Sequence, residues 1–66
     1  VYGRLTAREQ EILELVATGL KNREVARELL IAESSVRWHV RNIFSKLDVQ
    51  NRTEAGVKAR ALKIIF

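Results

Sequence analysis

Apolar residues recur every three or four positions along this chain, and no segment alternates with period two for long enough to form a strand. Proline, which interrupts helices, is absent. The clearest apolar stripe comprises Val36, Val40, Ile43, Phe44 and Leu47. A chain of 66 residues is long enough for one small domain, so the pattern predicts a single all-α domain over residues 1–66.

Residues that favour helix ends divide the chain into four segments. Thr6 and Glu9 have the spacing of a capping box, in which each side chain accepts a hydrogen bond from the other residue's backbone N–H. Asn22 and Asn51 are suitable N-caps for later helices, and Gly19 suits a left-handed turn after the first helix. The predicted helices cover residues 7–18, 23–30, 33–47 and 52–63, each to within about two residues.

Composition excludes several classes of protein and adds a sign of nucleic-acid binding. The chain has no cysteine, which excludes disulfides and cysteine metal sites, and it shows neither a membrane span nor a secretion signal. Residues 34–66 carry seven basic and two acidic side chains, whereas residues 1–33 carry five and six. This asymmetry fits a nucleic-acid surface or an ordinary solvated basic face. Because the chain begins at Val1 rather than Met, we expect it to be a fragment of a longer protein.

The second and third predicted helices, joined by a three-residue turn, have the arrangement of a helix-turn-helix, whose second helix reads DNA. The polar face of that helix comprises Ser34, Arg37, Trp38, Arg41 and Ser45, spaced three or four residues apart. Arginine can pair with O6 and N7 of guanine, and it can also bind phosphate. Trp38 lies off the apolar stripe, so it either contacts a thymine methyl or a sugar, or packs back on the second helix.

Two predicted helix starts, at residues 22–23 and 51–53, combine a capping residue with an arginine. Helix N-termini attract phosphate, although ordinary capping also explains both starts.

No set of residues indicates an enzyme. His39 is the only histidine and has no second metal ligand at a suitable spacing, and a glycine-rich phosphate loop is absent. We therefore expect no catalytic residue, no metal and no cofactor.

Several short motifs occur in a fixed order along the chain. They are Leu5-Thr6-Ala7-Arg8-Glu9, Gly19, Asn22-Arg23-Glu24-Val25-Ala26, Ser35-Val36-Arg37-Trp38-His39-Val40, Asn42-Ile43, Lys46-Leu47 and Asn51-Arg52-Thr53-Glu54-Ala55. Each motif is weakly specific by itself, but the ordered set resembles the LuxR-type helix-turn-helix, also called the LuxR/FixJ or GerE type. This domain is the output domain of NarL-like response regulators, and the resemblance covers residues 5–61.

The resemblance implies a four-helix domain that controls transcription in bacteria. It places the third helix in the major groove of double-stranded DNA and the fourth helix in a homodimer, which we expect to be weak or to form on DNA. It also implies an N-terminal regulatory domain outside this chain and a location in the bacterial cytoplasm, at the nucleoid.

The expected site residues fall into three groups. The base-facing residues are Ser34, Arg37, Trp38 and Arg41. The phosphate contacts are Arg23, His39, Asn42, Ser45, Lys46, Arg52 and Thr53. The alternative for His39, Asn42 and Lys46 is that they brace the third helix. The dimer surface comprises Thr53, Val57, Ala61 and Ile64. Alternatively, Val57 and Ile64 complete the core of the domain, and the other apolar stripe of the fourth helix is exposed.

Three positions depart from the usual pattern of this family. Ala32 replaces a serine or threonine cap at the start of the third helix, Asp48 replaces a glycine at its end, and Trp38 is bulkier than the usual base-facing residue. The resemblance favours a two-component response regulator and leaves open a quorum-sensing or stand-alone regulator. Two further interpretations are region 4 of a bacterial sigma factor, against which the start of the fourth helix argues, and a helical protein-interaction module without a nucleic-acid role.

Overall fold

The computed structural model describes residues 5–63, which form four helices joined by short connections. The helices are α1 (Ala7–Ala17), α2 (Asn22–Leu29), α3 (Glu33–Leu47) and α4 (Arg52–Ala61). No strand occurs between residues 5 and 63, so the predicted all-α fold of four helices is confirmed. Over the same residues, no helix is both long enough and apolar enough to cross a membrane.

The ends of α1 and α4 follow the local signals that the sequence contains. Glu9 N–H donates to Oγ1 of Thr6 at 3.1 Å, and Thr6 N–H donates to Oε1 of Glu9 at 2.9 Å, so the predicted capping box is present. Gly19 adopts the left-handed region with φ 101°, as expected. Asn51 caps α4 by accepting the N–H of Glu54 at 2.9 Å. Helix α4 ends at Ala61, two residues before the predicted end.

The predicted N-cap of α2 is wrong by one position. Lys21 is the N-cap, Asn22 is the first helical residue, and Glu24 accepts the N–H of Lys21 at 2.8 Å. The amide side chain of Asn22 is engaged elsewhere, because its Oδ1 accepts a hydrogen bond from Arg52. Helix α2 ends at Leu29, since Leu30 takes a left-handed conformation with φ 58° that stops the helix.

The core lies where all four helices meet. Its buried side chains are Ile12, Leu13, Val16, Val25, Ala26, Val36, Val40, Ile43, Leu47, Ala55 and Ala59. Phe44 is only half-buried and packs against the edge of this core, but the rest of the apolar stripe of α3 is buried as predicted. Helix α3 packs on α1 and α2, and its opposite face is left exposed.

The connection between α2 and α3 is the three-residue turn of a helix-turn-helix. It runs from Leu30 to Ala32, and the N–H of Ile31 donates to the carbonyl of Ala26 at 3.0 Å. Ala32 is the N-cap of α3 in an extended conformation and forms no side-chain capping bond. At the other end, Asp48 takes a left-handed conformation with φ 57° and ends the helix.

Candidate nucleic-acid interface

The five polar-face residues of α3 lie together on its exposed side. Ser34, Arg37, Trp38, Arg41 and Ser45 are all exposed, while the apolar stripe opposite them faces α1 and α2. Trp38 is 60% exposed, so most of its side chain is open to solvent rather than packed on α2. Its ring instead makes an edge contact with His39, with the ring centres 5.1 Å apart. The result is an outward ridge with two guanidinium groups and an indole.

The three cations of α3 differ in their partners. Nη1 of Arg37 lies 3.2 Å from Oε2 of Glu33, one turn earlier on the same helix, and both side chains are exposed. Lys46 forms an ion pair with Glu9 on α1, at 2.6 Å between Nζ and Oε1. Arg41 has no ion pair within residues 5–63. The charge of Arg41 is therefore the least compensated along the exposed ridge.

Glu9 is a charged side chain that the fold buries, since it is only 4% exposed. Burial raises the pKa of its carboxyl, but the hydrogen bonds from Lys46 and from the backbone of Thr6 lower it. The charges of Lys46 and His39 lower it further, and the pKa of Glu9 lies below its ordinary value. The carboxylate is thus ionised at neutral pH and holds the last turn of α3 against α1. The sequence indicated its capping role but not its partner on α3.

The expected phosphate contacts on α3 differ in how accessible they are. Ser45 is exposed, but His39 and Asn42 are half-buried. Nδ1 of His39 is buried and has no hydrogen-bond partner within residues 5–63. Lys46 already binds Glu9, so a phosphate would have to share its ammonium group with a buried carboxylate.

The expected phosphate contacts outside α3 lie at the starts of α2 and α4. Arg23 and Thr53 are exposed, whereas Arg52 is half-buried. Nη1 of Arg52 donates to the carbonyl of Leu20 at 3.2 Å, and Nη2 donates to Oδ1 of Asn22. The guanidinium group therefore links the start of α4 to the start of α2. No local sequence signal indicates this contact, because its partners are about thirty residues apart.

The outward face of α4 carries an exposed apolar residue. Val57 is 63% exposed, and Thr53 and Ala61 are exposed on the same helix. The alternative in which Val57 completes the core is therefore wrong. Val57 lines two surface grooves of about 330 and 490 Å³, one towards the end of α1 and one towards residues 48–49. Ile64, the fourth residue of the expected dimer surface, lies outside the described residues.

Helix α4 approaches α1 closely at a glycine. A Cβ atom on Gly56 would lie 3.9 Å from the Cα atom of Ala17 and 3.1 Å from Nη1 of Arg60. Nη2 of Arg60 in turn donates to the carbonyl of Ala17 at 3.0 Å. These contacts fix α4 on α1 and leave its opposite face outward.

Between residues 5 and 63, no group of three or more His, Cys, Asp or Glu side chains could hold a metal ion.

The sequence profile of the GerE family, described as bacterial regulatory proteins of the luxR family, matches residues 3–59 of the chain. The chain belongs to the luxR family. This membership agrees with the helix-turn-helix of α2 and α3 and with the four-helix architecture. Family membership therefore favours the LuxR-type interpretation of the ordered motifs over the interpretation as region 4 of a sigma factor.

Individual luxR-family relatives are regulators much longer than this chain. The transcriptional regulatory protein LiaR of Bacillus subtilis is 53% identical over 55 residues, which are 83% of this chain and 26% of LiaR. The response regulator protein VraR of Staphylococcus aureus (strain NCTC 8325) is 49% identical over 59 residues, which are 89% of this chain and 28% of VraR. Both likenesses agree with the luxR family membership that the profile shows.

A solved structure has the same fold. It is the crystal structure of the response regulator ChrA of a heme-sensing two-component system, with a TM-score of 0.89 and 48% identity. The match covers 92% of this chain and 30% of the ChrA chain. The chain thus spans less than a third of each of these three proteins.

Proposed function

We propose that this domain binds specific double-stranded DNA sequences by inserting α3 into the major groove, as the output domain of a two-component response regulator. The observation that carries the proposal is the exposed ridge of α3, where Arg37, Trp38 and Arg41 stand opposite a buried apolar stripe. The major groove admits one α-helix and presents a distinct pattern of donors and acceptors for each base pair. The proposal includes no catalytic step and no cofactor.

Base readout is assigned to the residues of this ridge. Arg41, which has no ion pair in the described part of the chain, and Arg37 are the candidates for guanine, because a guanidinium can donate to O6 and N7 together. Ser34 can accept from or donate to either kind of base edge. Trp38 offers an apolar ring, which suits the methyl group of thymine.

Phosphate contacts position the domain without reading sequence. Arg23, Ser45 and Thr53 are exposed and free to approach the backbone of the duplex, and His39 and Asn42 present only part of their side chains. Lys46 and Arg52 have partners inside the domain, namely Glu9 and the start of α2. We assign these two cations mainly to holding α3 and α4 in place, with phosphate binding as a secondary role.

The regulatory part of the proposal rests on the relatives. VraR and ChrA are named as response regulators, and the chain covers less than a third of either. We infer that an N-terminal receiver domain accompanies this output domain and that the regulator acts at the bacterial nucleoid in the cytoplasm. We also infer that two such domains pair through Thr53, Val57 and Ala61 on α4. A quorum-sensing or stand-alone regulator is the alternative, and the presence of a phosphorylatable receiver domain in the full-length protein distinguishes the two.

A salt titration combined with site selection tests the DNA-binding proposal. The domain is first used to select preferred duplexes from a random pool, and then a preferred and a random duplex are titrated at two salt concentrations. We expect both affinities to fall steeply with salt and the preferred duplex to bind about 10³-fold or more tightly than the random one. Binding that ignores salt, or no selected sequence at all, would favour a protein-interaction module instead.

A further inference from the structure

Glu33, the first residue of α3, is bonded to Arg37 and lines the same surface cleft as Arg23, and both arginines have proposed DNA contacts. Its Oε2 atom accepts a hydrogen bond from Nη1 of Arg37 at 3.2 Å, and both side chains are exposed. Glu33 also lines a surface cleft of about 320 Å³ with Lys21 and Arg23 at the start of α2. A carboxylate therefore lies beside a proposed base contact and in the same cleft as a proposed phosphate contact.

This carboxylate affects the two possible DNA ligands of Arg37 differently. A guanidinium has five N–H donors, so Arg37 can keep its bond to Glu33 while it donates two others to O6 and N7 of guanine. A phosphate bound to Arg37 would bring a second negative charge to ~6 Å from the Glu33 carboxylate. In water, the repulsion between these two charges weakens the binding of the phosphate about threefold. The edge of guanine carries no net charge and escapes this repulsion.

We propose that Glu33 is a specificity-determining residue of the DNA-binding surface, which holds Arg37 for base edges and disfavours phosphate as its ligand. The inference rests on the proposed function and adds a residue that needs no DNA contact of its own. Sequence-independent affinity comes mainly from phosphate contacts, so Glu33 weakens binding to random DNA more than binding to a preferred site. Because it acts through Arg37, Glu33 is a positioning residue.

A double-mutant cycle with Glu33→Gln and Arg37→Ala tests this role. Each variant is titrated with the preferred duplex and with a random duplex of equal length at one salt concentration, after circular dichroism has shown that it is folded. Glu14→Gln is the matched control, because it removes the same charge from an exposed position on α1. The readout is the ratio of the preferred-duplex affinity to the random-duplex affinity, and Glu14→Gln measures how far the loss of one negative charge by itself alters this ratio.

We expect Glu33→Gln to bind random DNA about threefold more tightly and the preferred duplex about as well as the unchanged domain, so that the ratio falls about threefold. Glu14→Gln should leave the ratio unchanged, and so should Glu33→Gln in the Arg37→Ala background. An unchanged ratio in Glu33→Gln, or an equal fall without Arg37, would overturn the role of Glu33. If the unchanged domain itself showed no preference between the duplexes, the proposed function would fail instead.

Discussion

The Nζ atom of Lys46 lies 2.6 Å from Oε1 of Glu9 and joins the last turn of α3 to the first turn of α1. The same oxygen accepts the N–H of Thr6 at 2.9 Å, so one buried carboxylate both caps α1 and anchors the far end of α3. At the near end of α3, Glu33 is paired with Arg37. The exposed ridge of α3 is thus held at one end by an ion pair with a buried carboxylate and carries an exposed pair at the other.

Glu9→Gln should lower the free energy of unfolding by about 1–3 kcal/mol at neutral pH, because Lys46 loses its charged partner while the side chain keeps its size. Burial raises the pKa of Glu9, but the bonds and charges around it outweigh burial and keep the pKa below its ordinary value of 4.5. Stability from the ionised carboxylate is therefore present above pH 4.5 and is lost as the pH falls through the pKa of the folded state.

Urea unfolding of both proteins at neutral pH and well below pH 4.5 checks this prediction. The difference in stability between Glu9→Gln and the unchanged domain should shrink in acid, where both side chains are neutral. The exposed Glu14→Gln serves as the control and should change stability little at either pH. An equal deficit for Glu9→Gln at both pH values would mean that the charge of Glu9 contributes nothing to stability.

Arg52→Lys separates the structural role of Arg52 from phosphate binding. Lysine keeps the positive charge but cannot donate to the carbonyl of Leu20 and to Oδ1 of Asn22 with the fixed fork of a guanidinium. We expect thermal or urea unfolding to show a loss of about 1–2 kcal/mol, with the salt dependence of DNA binding unchanged. The control is Arg23→Lys at an exposed position. If Arg52→Lys were as stable as Arg23→Lys, the hydrogen bonds of Arg52 between α4 and α2 would contribute nothing to the free energy of unfolding.

Ala32→Ser should stabilise the domain by about 0.5–2 kcal/mol, because α3 begins without a side-chain cap. Ala32 already has the extended conformation of an N-cap, with φ −69° and ψ 147°, so a serine hydroxyl can accept a free amide of the first turn. A thermal melt compares it with Ala7→Ser, which places serine inside the first turn of α1 and should bring no gain. Equal melting temperatures for the two variants would show that the start of α3 needs no cap.

Val57→Glu should abolish cooperative binding to two half-sites about 10 bp apart while leaving the fold and single half-site binding nearly intact. Val57 is exposed in the single domain, so a charge there is tolerated until a second domain covers it. Gel-shift titrations on one-site and two-site duplexes measure the cooperativity. Gln50→Glu adds the same charge at an exposed position outside α4 and should leave cooperativity unchanged. Unchanged cooperativity in Val57→Glu would exclude this residue from the interface.

The sequence predicted those parts of the fold that depend on neighbours within about one helical turn. The bounds of α3 match the prediction because its apolar stripe and Asp48 are local signals. The cap of α2 was misplaced because the side chain of Asn22 binds Arg52, which lies thirty residues further along the chain. The pair of Glu9 and Lys46 was missed for the same reason, since tertiary packing alone brings them together. The pair of Glu33 and Arg37, at i and i+4, was within reach of sequence reasoning.

The insertion of α3 into the major groove is tested most directly by changing one groove of the DNA at a time. In a selected duplex, each purine is replaced in turn by its 7-deaza analogue, which removes the N7 acceptor from the major groove. Inosine in place of guanine removes only the amino group in the minor groove, and the dissociation constant is measured for every duplex. We expect one or more 7-deaza substitutions to weaken binding by about 1–3 kcal/mol and inosine to have little effect. Losses confined to inosine, or no loss from any 7-deaza purine, would contradict readout by α3 in the major groove.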